Sequence, residues 1–518
     1  AYFEHVVQGQ PDEYRTPFYK GKSLTTILKM WDEELRAIEE RWPTLYQYEK
    51  DLAAKVGPMS IMKPLSERLD DIDSYYSAVK AESKPIDSRA VDAVWNEWKR
   101  GGGLRVRSRS RTNELMKKST NSGAPFFTKR KNVQKDTLPF EIVYSEPVDS
   151  PLPVVSQSLS NGKTYRICAV LGWRGQEGGP KKTDTKQRVV WMFPYAVNVA
   201  ELQVYQPLIE MCQANGFVPA WISMDEVDKC ITKMFDTKAD DDLVICTDFS
   251  KFDQHFNPDM QSAAATLIGK FFSDPYIKGW LRIIFPIKYN IPLMLNYGEI
   301  VSGPHGMGSG SGGTNADETL AHRALQHEAA ILHGSKLNPF SQCLGDDGVI
   351  TYPGCTVEDV VQTYSSHGQE MNPDKQYASK HDCTYLRRWH HKDYRVDGVC
   401  VGVYSTMRAL GRLAEQERYY DPEVWGPKMV ALRQLSILEN VKWHPLREQF
   451  VDFCMKGDKY RLGLDIPGFF DKLDSIASEA IDYMPDFLGY TKSLQNEVGN
   501  KSHGINDWWI VNYLKSKR

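Results

Sequence analysis

The 518-residue chain lacks any run of about 18 apolar residues, so it encodes no helical membrane span. It lacks a CxxC pair: its nine cysteines stand apart, and their number is odd. No signal-peptide-like segment opens the chain, so reduced, mostly buried thiols in a cytosolic setting are expected. The first residue is Ala1 rather than Met, consistent with a trimmed start. Internal repeats and low-complexity tracts are missing too. There is no surplus of one charge: 64 basic residues face 67 acidic ones, for a net −3. That excludes a wholly basic surface, so any nucleic-acid site must be local. With 41% hydrophobic and 25% charged residues, 37 Gly and 28 Pro, the chain is no disordered tail, collagen or coiled-coil rod. The length allows roughly three structural units.

The charge that is present is unevenly placed. Residues 99–135 carry twelve basic side chains against Glu114 alone, leaving the rest of the chain at −14. Arg105, Arg107, Arg109 and Arg111 alternate, so in an extended segment they would line one face and form a phosphate-binding track. The bland alternative is a solvated basic face. Near the start, Leu24, Ile27, Leu28, Trp31, Leu35 and Ile38 recur at helical spacing behind Ser23, a candidate cap. The pattern predicts an amphipathic helix running to about Trp42–Pro43, with an apolar stripe that must dock elsewhere. After about residue 405 the spacing turns helical, through Met407, Leu410, Leu413, Leu432, Leu435 and Leu438.

Three stretches carry chemistry. The apolar run 243–247 reads as a buried strand that delivers Asp248, with Asp253 five residues on. Residues 343–352 read as a hairpin whose turn is Gly345-Asp346-Asp347-Gly348. Adjacent carboxylates repel and are hard to keep ionised without a cation, and hard oxygens suit Mg²⁺ or Mn²⁺. Asp248 beside Asp346 would hold two metals about 3.5–4 Å apart, the arrangement that clamps an in-line phosphoryl displacement. Taken alone, an Asp-Gly turn is most often just a turn. The Gly/Ser stretch 302–314 feeds a predicted helix at Ala316–Ala330 and lacks the GK[ST] of a Walker loop; such loops let a backbone approach phosphate or sugar. Lys182, Lys186 and Arg188 could grip a triphosphate, with a basic strand edge equally well accounting for them.

The order of these pieces resembles that of the viral RNA-dependent RNA polymerases. It runs TNSGAPF (120–126), KxR (186–188), DFSKFD (248–253), SGSGGT (309–314), LGDD (344–347), NPDK (372–375) and YLRR (385–388). The details look most like the picobirnavirus enzymes, with those of partitiviruses next. The resemblance implies an α+β fold, a closed right hand of fingers, palm and thumb, with an antiparallel palm sheet flanked by helices and a mainly helical thumb. It implies a segment at 1–60 bridging fingers to thumb and fingers at 61–190. The palm would occupy 191–284 and 301–392, with a fingers insertion at 285–300 and the thumb at 393–518.

By the same resemblance Asp248 and Asp346 are the principal ligands of two Mg²⁺ ions, with Mn²⁺ as a substitute, and Asp347 is a lesser ligand. Lys375 is the general acid for departing pyrophosphate. Lys182, Lys186 and Arg188 hold the NTP triphosphate. Asp253 senses the ribose 2′-OH, with Ser309, Gly310 and Thr314 near template and incoming ribose. Ser122, Gly123 and Pro125 match the template-entry motif, while Arg387 and Arg388 match a loop supporting the primer strand. Many relatives carry Asn where this chain has Glu318, and an ionised carboxylate cannot donate a hydrogen bond. Either Asn315 substitutes or the 2′-OH network is wired differently.

The implied activity is template-directed nucleotidyl transfer onto an RNA 3′-OH, serving a segmented double-stranded RNA genome. The implied partners are RNA, NTPs and viral capsid protein, with no membrane. The implied state is a monomer in the virion interior and host cytoplasm. Two other classes share parts of the pattern. A metal-dependent phosphohydrolase would need neither a triphosphate grip nor Lys375, and a non-catalytic RNA-binding protein would use GDD merely as a turn. A reverse transcriptase usually carries bulky aromatics at the positions of Asp253 and Gly345.

Overall fold

In the computed structural model, residues 2–480 and 504–518 are described; the part of the expected thumb at 481–503 lies outside them. The strand Val244–Thr247 is buried along its whole length. It lies between Tyr377–Ser379 and Asp347–Ile350, and the latter pairs on its far side with Gln342–Leu344. All three pairings are antiparallel, as expected for the palm.

The turn of the 342–350 hairpin is tighter than GDDG suggests. Asp347 pairs with Leu344, so only Gly345 and Asp346 form the loop, and Gly345 adopts φ +58°. A two-residue loop of this kind needs that left-handed conformation at its first central position, which glycine adopts without strain. Asp347 is therefore a strand residue, displaced from the turn expected for it.

The helix Thr314–Leu332 backs this hairpin. His322 Nδ1 pairs with the Gly345 carbonyl at 2.8 Å, and the Gly345 N–H donates to Thr319 Oγ1 at 3.0 Å. One turn later Gln326 donates to the Gln342 carbonyl at 2.9 Å. Side chains at such spacings share one helix face, so the turn is pinned from below rather than left to its own preferences.

A second four-stranded sheet joins Lys186–Met192, Ala169–Gln176, Leu293–Asn296 and Glu299–Val301, in that order. A three-stranded sheet at Glu141–Ser145, Val154–Ser158 and Thr164–Arg166 adjoins it in sequence. A second three-stranded sheet, Asp382–Tyr385, Arg388–His391 and Val403–Tyr404, leads to the C-terminal helices Thr406–Ala414, Pro427–Glu439 and Arg447–Gly457.

The first 60 residues touch both ends of the molecule. Phe3, in the Tyr2–Gln8 helix, packs with Ala124, Cys168 and Val170. The stripe Leu24, Ile27, Trp31, Leu35 and Ile38 is buried in a core with Met407, Leu432, Phe450 and Phe453. Trp31 donates from Nε1 to Thr406 Oγ1 at 2.8 Å. Ser23 caps this helix by accepting from the Thr26 N–H at 3.2 Å. The helix stops sooner than predicted, at Leu35. A 3₁₀ turn over Arg36–Ile38 follows, and Pro43 opens a new helix, Pro43–Ala53. Proline at the first helical position suits a start and cannot sit inside a continuous helix.

All nine cysteines are free thiols. Arg388, expected to support RNA, is instead buried in a charged knot. Its guanidinium donates twice to Asp228 at 2.8 Å, while His390 Nε2 and the Gly402 N–H reach the same carboxylate at 2.8 and 3.1 Å. Breaking one side of a buried pair strands the other charge, typically at about 3–5 kcal/mol. Asp228→Ala should therefore lower the thermal unfolding midpoint by several degrees, and Arg388→Met by a similar amount. Unchanged midpoints in a calorimetric scan of both variants would contradict this structural role for Arg388.

Candidate active site

The strand 244–247, the 342–350 hairpin and the sheet at 169–192 open onto one cavity of about 1560 Å³. Asp248 and Asp347 line it, together with Lys186, Arg188, Lys375 and Arg387. Asp248 directly follows its buried strand, and its backbone is gripped by one side chain. Gln376 accepts from the Asp248 N–H at 2.7 Å and donates to the Asp248 carbonyl at 2.9 Å. Burial raises the Asp248 carboxyl, while Lys375, Lys55 and Lys186 pull it back down. Lys55 is a cation that no motif flagged; it arrives from the end of the N-terminal segment and lines the same cavity.

Asp346 sits at the turn beside this group. Burial raises its pKa, with Asp253 and then Asp248 adding repulsion against the opposing charge of Arg188. Asp347 accepts from the Leu386 N–H at 2.8 Å. Burial pushes it up to about 7, that N–H lowers it, and Asp346 raises it. Carboxyls that raise one another are costly to keep ionised together, and their hard oxygens are of the type that suits Mg²⁺.

Asp253 pairs with Arg188, Nη2 to Oδ2, at 3.3 Å. Burial lowers the Arg188 pKa, but the charge and hydrogen bond of Asp253 outweigh it, so the guanidinium is held more firmly protonated. Behind Asp253 stands Glu318. Its carboxyl is buried and raised well above the carboxylate range, first by burial and then by the charge of Asp253, with which it shares a hydrogen bond. Burial and the neighbouring charge of Asp253 favour the protonated form of Glu318, the form that can donate a hydrogen bond. The departure from the family Asn is chemically mild, since a neutral acid donates as an amide does. Asn315 is placed otherwise: its Oδ1 accepts from Trp221 Nε1 at 2.8 Å.

The Gly/Ser loop is fixed by backbone contacts. A Cβ on Gly310 would lie 1.7 Å from the Trp191 carbonyl oxygen. Ser309 Oγ accepts from the Trp191 N–H at 3.3 Å. The Thr314 hydroxyl faces the carbonyls of Gly308, Ser309 and Ser311 at 3.2–3.3 Å, turned into its own loop. Ser122 and Gly123 are buried away from the cavity. The Ser122 carbonyl accepts from the Tyr195 N–H at 2.9 Å, and a Cβ on Gly123 would meet the Phe193 carbonyl oxygen at 2.6 Å. Pro125 sits in the same turn, outside the cavity lining.

Two groups of expected contacts dissolve. Lys182 lies in an exposed 3₁₀ turn, Lys182–Asp184, outside the cavity lining, because the chain bends away before the strand that carries Lys186 and Arg188. The alternating arginine track does not exist. Ser108 caps a helix, Arg109–Leu115, by accepting from the Arg111 N–H, so the extended segment ends before Arg109. Arg107 is tied to Glu210 and Gln206, at 3.0 and 3.1 Å. Arg109 donates to the Phe140 carbonyl and stacks 4.1 Å above its ring. Arg111 pairs with Glu114 at 3.1 Å, and Arg105 is exposed.

Residues 110–400 match the family model for viral RNA-dependent RNA polymerases. The chain belongs to that family and is an RNA-directed RNA polymerase, a nucleotidyltransferase that uses RNA and NTPs. Its kinship is with the picobirnavirus enzymes. The whole chain is 62% identical to a potential RNA-dependent RNA polymerase of human picobirnavirus (strain Human/Thailand/Hy005102/-), covering 96% of that protein. It superposes on the crystal structure of a human picobirnavirus RNA-dependent RNA polymerase with a TM-score of 0.94 and 61% identity, covering 100% of this chain and 96% of that one. An insertion-loop deletion mutant of a human picobirnavirus polymerase gives a TM-score of 0.92 at 59% identity, with the same coverages. The closed-hand α+β fold expected from the motifs is therefore the fold observed.

A donor behind Asp253 is testable through ribose selection. Glu318→Gln keeps a neutral donor and should leave the preference for GTP over dGTP within about threefold of the parent, measured as a ratio of kcat/KM values. Glu318→Leu removes the donor, and the ratio should fall roughly tenfold, the scale of a lost charge-assisted hydrogen bond. Equal ratios in the two variants would show that the proton on Glu318 is irrelevant to Asp253.

Proposed function

We propose that this polymerase extends an RNA 3′-OH by two-metal nucleotidyl transfer, serving transcription and replication of a segmented double-stranded RNA genome. The observation that carries this reading is the convergence, in one cavity, of Asp248 and Asp347 with Lys186, Arg188 and Lys375, drawn from separate stretches of chain. A phosphohydrolase would not need the triphosphate-sized set of cations opposite the acids. A passive RNA-binding protein would have no cause to bury mutually repelling carboxyls.

Asp248 and Asp346 would hold two Mg²⁺ ions, with Mn²⁺ able to substitute and Asp347 acting as an outer partner. When bound, such ions supply positive charge to the attacking and leaving oxygens. The rest falls to the protein. Lys186 and Arg188, with Lys55, draw the triphosphate across the cavity toward the acids. Arg188 also holds the Asp253 side chain in place, and Asp253 accepts a hydrogen bond from the ribose 2′-OH. Lys375 gives its proton to the departing pyrophosphate, and Arg387 faces the primer strand. The loop at 309–314 borders the ribose and template. Ser122, Gly123 and Pro125 shape the template entry through backbone packing.

In this reading the fingers span 61–190, with 285–300 inserted; the pairing of Leu293–Asn296 with Ala169–Gln176 supports that insertion. The palm covers 191–284 and 301–392, and the thumb 393–518. The first 60 residues bridge fingers and thumb, which their packing at both ends supports. Among the described residues no helix is long and apolar enough to cross a membrane. We assign the working enzyme to the virion interior and host cytoplasm, as a monomer beside capsid protein.

Asp346→Ala should abolish synthesis on a gel-based extension assay while leaving RNA affinity nearly intact, because it removes a carboxylate and no phosphate contact. Elongation at the parent rate would overturn the metal assignment.

Lys375→Leu should slow each addition cycle in kcat with little change in KM, because charge on the leaving group grows only in the transition state. General-acid contributions run to about 10²–10⁴-fold. A pure rise in KM would make Lys375 a ground-state phosphate anchor instead.

A further inference from the structure

We infer that Glu201, which no motif marks, is a positioning residue for nucleotide selection, acting by fixing the Ser309–Gly313 loop. This rests on the reading of that loop as a border of the ribose and template site.

The Tyr195–Asn215 helix carries a buried polar face. Asn198, Glu201 and Tyr205 lie three and four residues apart and so share one side of it. Glu201 is fully buried. Its Oε1 accepts from the Gly312 N–H at 3.0 Å and from Asn198 Nδ2 at 3.2 Å, while Oε2 accepts from the Ser311 hydroxyl. Asn198 Nδ2 also donates to the Gly310 carbonyl at 3.2 Å, and its Oδ1 accepts from Arg130 Nη2 at 2.8 Å. Four residues along the helix, Tyr205 donates to Asp317 at 2.6 Å. Asp317 in turn faces the fully buried Lys288 Nζ at 3.0 Å.

A loop reading Ser-Gly-Ser-Gly-Gly has almost no conformational preference of its own. A buried carboxylate costs desolvation energy that apolar packing would avoid. Here that carboxylate spends both oxygens on the loop. The loop leads directly from the nucleotide-reading region: the Met307 N–H donates to the Asp253 carbonyl at 2.8 Å just upstream, and Thr314 starts the helix that carries Glu318. Fixing the loop therefore fixes the frame in which Asp253 meets the sugar.

The test uses the full chain with a primed template. Glu201→Gln keeps size and one acceptor but removes the charge that takes both loop donors. The GTP-to-dGTP ratio of kcat/KM values should fall about five- to tenfold, the scale of a lost hydrogen bond to a charged group. Ser311→Ala, which breaks the same contact from the loop side, should lower the ratio similarly. The double variant should be no worse than the poorer single one, since both remove one interaction. A parental ratio in both single variants would overturn the proposal, as would losses that multiply in the double. Should Glu201→Gln fail to fold, Ser311→Ala carries the test alone. Asp253→Ala serves as the reference. If it too leaves the ratio unchanged, the ribose-site reading has failed; if it lowers the ratio while Ser311→Ala does not, only the role of Glu201 has.

Discussion

Crowding of carboxyl groups is the constraint around which this molecule is arranged. Asp248, Asp253, Asp346, Asp347 and Glu318 perturb one another across a small, partly dry volume, and each nearby charge makes the next harder to ionise. Left alone, such a cluster would protonate or push the backbone apart. The chain counters it in two ways. Cations arrive from four separate segments: Lys55, Lys186 with Arg188, Lys375, and Arg387. The most deeply buried acid of the group, Glu318, is pushed toward its neutral form by burial and by the charge of Asp253, which lowers the negative charge the cluster must carry.

Such a balance holds only on a stiff frame. The carboxyls stand on a buried strand and on a two-residue turn, the places in a sheet where backbone freedom is least. The Thr314–Leu332 helix fastens that turn through Thr319 and His322. His322 is buried, and burial drops its pKa to about 4, so it pins the Gly345 carbonyl as a neutral ring and adds no charge to the crowd. Further out, the triad of Arg388, His390 and Asp228 fastens the small sheet that precedes the C-terminal helices. These buried charges hold geometry, each carboxylate or guanidinium being taken up by partners within the protein.

What the sequence reveals follows from the range of the interactions. The strand before Asp248, the hairpin at 342–350 and the cap at Ser23 are local events, governed by period, turn chemistry and capping, and they stand where the residues put them. The helical stripe from Leu24 was legible as far as Ile38, but its break was hidden, because an apolar residue at helical spacing is buried equally well from a 3₁₀ turn. The site motifs were readable because polymerase chemistry demands particular side chains in a fixed order. Partnership across the fold was not. Arg388 and Arg387 look alike as neighbours and both border the cavity, yet the Arg388 guanidinium is tied up by Asp228. Arg109 and Arg111 alternate with Arg105 and Arg107 in sequence, and a single capping serine rotates them off the line. Lys55 and Glu201 depend on residues over a hundred positions away and Glu318 on Asp253, 65 positions away, and no spacing rule reaches that far.

The same long-range logic explains how a chain of net −3 can serve RNA. Its one strongly basic stretch, 99–135, does not act as a uniform sheet of positive charge. Arg107 is neutralised by Glu210, Arg109 is stacked on Phe140, and Arg130 is turned inward to Asn198. Part of the basic surplus is thus spent on holding together the segments that border the cavity. The cations whose fields reach the acids are Lys55, Lys186 and Lys375 at Asp248 and Arg188 at Asp346. Positive charge is strongest where it is least hydrated and closest to the carboxyls it must offset. A phosphate entering that space meets cations held in place by the acids, and a phosphate elsewhere on the surface meets mostly solvent and negative charge. Local concentration of charge in one cavity therefore achieves what overall basicity would do less selectively.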